Sequence, residues 1–162
     1  MAAAKSMEEA RTIAILEYYK NIDGEINFYR KLIKSDEDTY YNTIGANASD
    51  GLPHGKNNIS RMTENAAMNV PDGVLENMRE NEKKISDLCQ LKAQIIREIS
   101  RLEFKEKSVI YDFYINNLKW EQVAVRNHYT ERQCRNIRDK AIESLIPKFQ
   151  KNVYIASFKI AA

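Results

Sequence analysis

The feature that most constrains this 162-residue chain is a stripe of apolar side chains, Met78, Ile85, Leu88, Ile95, Ile99 and Leu102, spaced by 7, 3, 7, 4 and 3. Only a helix returns side chains to one face at threes, fours and sevens. Leu91 and Ile96 widen the stripe, and Asn81 and Lys92 place polar groups at two seam positions. The spacing predicts a helix over 72–103, about 45 Å long at roughly 1.5 Å per residue. Such a stripe must be covered. The first helix of the same chain covers it, as an antiparallel hairpin, or a second copy does, as a homodimer through 72–103, or both do. The pattern alone leaves both open.

The rest of the chain agrees with an all-α fold. Five glycines and three prolines are too few to turn a sandwich of short strands. Ile13, Leu16, Tyr19, Ile22, Ile26, Tyr29 and Ile33 recur at helical spacing and predict a long helix from about Ser6 to Ile33. Asp23-Gly24 is the place where it would bend or split, because glycine weakens a helix interior. Residues 35–73 carry turn chemistry, Ser-Asp-Glu-Asp, NASDGLPHGKNN and NVPDG, and read as a flexible loop with a short helical turn near Ser60–Ala67. Residues 1–103 thus form a long-helix scaffold. Beyond it, Val109, Ile110, Phe113 and Tyr114 mark a further helix that stops at Asn116-Asn117.

Chemistry-bearing patterns are scarce. GLPHGK has three residues between its glycines, where a phosphate loop has four, and no Ser or Thr after Lys56. His54 and His128 stand far apart, and Cys89 and Cys134 lie in separate helical patterns as two buried thiols without metal-ligand spacing. The expectations are no catalysis, no cofactor and no metal. No apolar run is long enough for a membrane span, and no apolar leader opens the chain. The reading is a cytoplasmic protein.

Charge points elsewhere. Residues 104–162 hold 11 Lys and Arg against 6 acids, whereas the residues before them hold 14 against 17. A basic C-terminal third on an acidic body suits a polyanion. Within it runs LKWEQVAVRNHYTERQCRNIRDKAIESL (118–145). Trp120, Val123 and Ala124 form the inward side of a short helix, and Ala124 lets a second helix cross closely. Asn127-His128-Tyr129 makes the turn, with Asn127 the residue most tolerant of a left-handed backbone. Thr130 and Gln133 form a T-x-x-Q capping box. Cys134, Ile137, Ala141, Ile142 and Leu145 then make one buried stripe. Glu131, Arg132, Arg135, Asn136, Arg138 and Lys140 project outward from the first turns, where a helix-turn-helix reaches base edges. An amphipathic second helix with solvated arginines is the plainer alternative.

The segment from Trp120 to Leu145 closely resembles region 4 of bacterial sigma-70 factors, through Glu121, Val123, Thr130, Arg135, Ile137, Lys140-Ala141 and Leu145. With Leu52-Pro53-His54-Gly55, Ser60 and Asn65-Ala66-Ala67, the chain as a whole is similar to the ArpU- and RinA-type late transcription regulators of phages and mobile islands in Gram-positive bacteria. The resemblance implies a sequence-specific regulator of double-stranded DNA, an activator of late genes working with RNA polymerase or another regulatory protein. It places Glu131, Arg132 and Asn136 toward bases and Arg135 toward the backbone, with Thr130, Gln133, Arg138 and Lys140 completing the DNA-binding set. The order Glu131-Arg132 departs from the basic-then-acidic order usual after the capping Thr. No counterpart of sigma regions 2 or 3 is visible. The domain reading is therefore a scaffold over 1–103, a sigma region 4-like domain over 104–150 and an apolar tail over 151–162. In that tail Val153, Tyr154, Ile155, Phe158 and Ile160 are expected to pack back on the helices. The competing reading is a protein–protein adaptor or sigma-like mimic that contacts polymerase or another regulator without holding DNA.

Overall fold

A computed structural model describes residues 2–47 and 73–159, with side chains placed over 7–43 and 73–159. The described residues are helical almost throughout and contain no strand. The helices are α1 (Ala2–Asn47), α2 (Val74–Ser100), α3 (Phe104–Ile110), α4 (Trp120–Asn127), α5 (Glu131–Lys151) and α6 (Val153–Ser157). A π-helical turn, Tyr111–Ile115, extends α3. The all-α class and the long N-terminal helix are as expected.

Two expectations about the N-terminal part need correction. Helix α1 runs through Gly24 as one long helix, as read, but it continues to Asn47 rather than giving way near residue 35. The Ser-Asp-Glu-Asp run holds no proline or glycine, and charged residues sit comfortably on a solvated helical face. Thr39 and Thr43 also turn their hydroxyls back onto the carbonyls of Ser35 and Thr39, at 2.9 and 2.8 Å. Cys89 is exposed, against the expectation of two buried thiols. It lies beside Leu88, on the flank of the stripe rather than on it. Helix α2 itself starts at Val74, after Gly73 at φ 99, a left-handed angle that suits glycine. The GLPHGK, Ser60–Ala67 and Ile160 readings fall outside the described residues.

The chain divides into two compact units. One contains residues 25–86. There Ile26, Val74 and Asn81 are buried, and the Lys84 ammonium sits 5.2 Å from the Tyr29 ring centroid. Met78 and Ile85 are only half-buried.

The other unit contains residues 1–24 and 87–162. Its core draws Ile15, Leu16 and Ile22 from α1, and Leu91, Ile95 and Ile99 from α2. Lys92, a polar residue on the apolar seam, is explained here. Its ammonium donates to both carboxylate oxygens of Asp23 at 2.7 and 2.8 Å, and it lies 5.5 Å from the Tyr19 ring centroid. The Asp23 hydrogen bond holds the Lys92 pKa above its ordinary value, although partial burial opposes it.

The C-terminal tail, part of the same unit, buries only some of its apolar side chains. Ile155 is fully buried and the Phe158 ring packs at a tilt against Tyr18, with centroids 5.2 Å apart. Val153 and Tyr154 are exposed instead of packed. Asn152 caps α6, accepting the Ile155 N–H, and of this five-residue helix only Ile155 is buried. The Arg11 guanidinium, from α1, donates to the carbonyls of Ile155, Ala156 and Phe158 at the end of α6. Asn152 also donates to Gln94 and to the buried carboxylate of Glu98, at 3.0 and 2.9 Å, and Arg101 covers the same carboxylate.

Candidate nucleic-acid interface

The short helices α3, α4 and α5 enclose a core of Val109, Val123, Ala124 and Cys134, with Phe113, Leu118, Trp120, Tyr129 and Ile137 packed around it. Ala124 is buried in this core together with Cys134 of α5. Burial pushes the Cys134 thiol above its ordinary pKa, and the nearby Glu131 carboxylate adds to that. Cys134 behaves as a small core residue.

Both helix starts are fixed by side chains. At α4, Gln122 accepts the backbone N–H of Lys119 at 3.0 Å. At α5, Thr130 Oγ1 accepts the N–H of Gln133 at 3.2 Å, and Gln133 Oε1 accepts the N–H of Thr130 at 2.9 Å. The capping box read from the sequence is therefore present. It assigns Thr130 and Gln133 to holding the helix start, so the oxygen of Gln133 is already used.

The turn between α4 and α5 differs from expectation in one residue. His128, not Asn127, adopts the left-handed conformation, at φ 58. Asn127 stays in the helix because its amide is needed there. It donates to the Val123 carbonyl and to Asp112, both at 2.9 Å, and it accepts from the Ser108 hydroxyl. Asp112 is a buried carboxylate, 4% exposed, that also accepts from Asn116 at 3.0 Å and faces Arg126 at 3.5 Å. Its own carbonyl takes the Leu118 N–H at 3.0 Å. One acid thus joins the π-helical turn, the connection to α4 and the end of α4. No periodicity argument could find this network, because its members sit at irregular intervals. The Asn116-Asn117 stop, with Asn117 at φ 55, was the legible part.

The outward residues of α5 fall into two groups. Arg132, Asn136 and Lys140 are exposed, lie four residues apart on one side of the helix, and make no hydrogen bond or ion pair among the described residues. Glu131, Arg135 and Arg138 are engaged. Arg135 Nη2 donates to Glu131 at 3.1 Å. Arg138 is half-buried rather than projecting, and its Nε and Nη2 both donate to Asp139, at 2.8 and 2.6 Å. Burial raises the Tyr114 pKa, and the positive charge and hydrogen bond of Arg138 work against that rise. Both guanidiniums also lie against Trp120, 5.7 Å for Arg135 and 5.5 Å for Arg138 from carbon to ring centroid. Helix α5 then runs through Pro147 to Lys151, past the Leu145 at which the recognisable motif closes.

The described part of the tail, up to Lys159, makes its side-chain contacts with Arg11 and Tyr18 of α1 and with Gln94 and Glu98 of α2. Among the described residues no group of His, Cys, Asp and Glu could hold a metal ion, and no helix is long and apolar enough to cross a membrane. No protein-family model, no curated protein and no solved structure matches this chain.

Proposed function

We propose that this chain is a sequence-specific DNA-binding transcription regulator, with α4 and α5 as a helix-turn-helix of the sigma-70 region 4 kind and α5 as its reading helix. The observation that carries this is the leading turn of α5. It starts from a fully made cap, and it presents Arg132 and Asn136 to solvent with no internal partner among the described residues. Arginine can bridge O6 and N7 of guanine, and asparagine can pair with N6 and N7 of adenine. Lys140, further along the same side, suits a phosphate, as does Arg135 on the flank. The resemblance to ArpU- and RinA-type regulators extends this to activation of phage or island late genes together with RNA polymerase.

The test is a mobility shift with duplex fragments from upstream regions of the protein's own genome, over a series of salt concentrations. Retention that falls steeply with salt is the expected result. Absence of salt-dependent retention on every fragment ends the reading.

A second reading has one observation in its favour. Glu131 and Asp139 neutralise two arginines of the face, and carboxylates are unwelcome beside phosphates. An adaptor that docks on a partner protein would tolerate them. Pull-down of polymerase that is lost when Arg132→Ala and Arg135→Ala are combined, with no mobility shift in the unaltered protein, would favour the adaptor.

A further inference from the structure

The one tryptophan of the chain is placed where a helix-turn-helix needs only an apolar filler. Trp120 is the first residue of α4, and its ring stacks on Phe113 at 4.1 Å with 18° between planes. Lys20, from α1, lies 5.8 Å from the Phe113 centroid. Arg135 and Arg138, on α5, lie against the indole. Arg138 is pinned by Asp139 and half-buried, so it secures the fold. Arg135 is different. Its side chain is 53% exposed, yet it is tethered at two points, the Glu131 carboxylate and the indole face.

A free arginine must be ordered when it meets an anion, and that ordering opposes binding. An arginine already resting on an aromatic ring has lost that freedom beforehand, and the ring's electron-rich face attracts the cation. We infer that Trp120 is a positioning residue for DNA, holding Arg135 in place for a backbone phosphate. The inference rests on the DNA-binding reading above. It adds that the affinity depends on a residue outside the reading helix, acting through Arg135.

The experiment measures binding of the full chain to a mixed-sequence 30-base-pair duplex at low salt, where phosphate contacts dominate. Unaltered protein, Trp120→Leu, Trp120→Phe, Arg135→Ala and Trp120→Leu/Arg135→Ala are compared, with thermal unfolding followed in parallel. Trp120→Leu should weaken binding by roughly 2- to 10-fold, the scale of one ordered side chain. Trp120→Phe, which keeps a ring face, should recover most of that loss. In the Arg135→Ala background, Trp120→Leu should have no further effect. An equal loss in both backgrounds overturns the inference while leaving DNA binding intact. Failure of the unaltered protein to bind the duplex overturns both. Should Trp120→Leu not fold, indole emission decides. Its change on adding saturating duplex should be present in the unaltered protein and lost in Arg135→Ala. Persistence of the change in Arg135→Ala sinks the proposal.

Discussion

Arg132 and Arg135 are one turn apart on the same helix, and their surroundings give them different work. Arg132 has no partner among the described residues and stands at the leading edge, whereas Arg135 leans on Glu131 and Trp120. A side chain that must choose between bases has to be free to approach them; one that grips a phosphate gains from being held. Arg132→Ala should therefore cost about 1–3 kcal/mol of discrimination between target and random duplex, measured by competition binding. Lys140→Ala should weaken all duplexes by a similar factor and lower the slope of log affinity against log salt by about one. Arg138 belongs to neither class. Arg138→Ala removes a half-buried cation from between Asp139, Tyr114 and Trp120, so it should lower the unfolding temperature before it changes DNA binding.

At the scale of elements, two helix positions make opposite predictions. Thr130→Ala deletes the acceptor for the Gln133 N–H and should destabilise the protein by about 1 kcal/mol in denaturant unfolding. Gly24→Ala should stabilise it by roughly 0.5–1 kcal/mol in the same measurement. Gly24 is helical and exposed, and beyond the backbone of its own helix and its chain neighbours no atom lies within 4 Å of where a Cβ would sit. These two sites also show what was legible in the sequence. The α5 cap and its stripe of Cys134, Ile137, Ala141, Ile142 and Leu145 follow from local spacing; the cap is found, and all of the stripe is buried except Ile137, which is partly buried. The extent of α1 was not legible, because Gly24 and the Ser35–Asp38 run have turn propensities that a long helix overrides. The Asp112 network and the Phe113–Trp120 stack were invisible for another reason: they join residues whose meeting depends on tertiary packing. Of the candidate interface, residue identities could be read, but not the division between free Arg132 and tethered Arg135.

At the scale of the molecule, the compact unit that carries the candidate interface is held by groups far apart in sequence. Arg11 grips the end of α6, Asn152 reaches Gln94 and Glu98, and Ile155 is fully buried. Ile155→Ala should cost about 2–4 kcal/mol, as a buried side chain truncated to a methyl does. The same unit holds four groups whose titration lowers stability at alkaline pH. Burial raises the pKa values of Tyr19, Tyr114 and Cys134, and the Asp23 contact raises that of Lys92. In all four the folded state holds its proton more firmly than the unfolded chain does. Stability from these groups is complete at neutral pH. Once pH passes the unfolded values, beginning near about 9 for the thiol and about 10 for the phenols and the ammonium, the unfolded chain binds fewer protons and the free energy of unfolding must decline. Calorimetric unfolding temperatures should therefore be flat from neutral pH to about 8.5 and fall steadily above it. Tyr19→Phe, which keeps the ring but cannot ionise, should make that fall shallower. An unfolding temperature that rose through this range would mean that the buried phenols and thiol are not where the packing puts them.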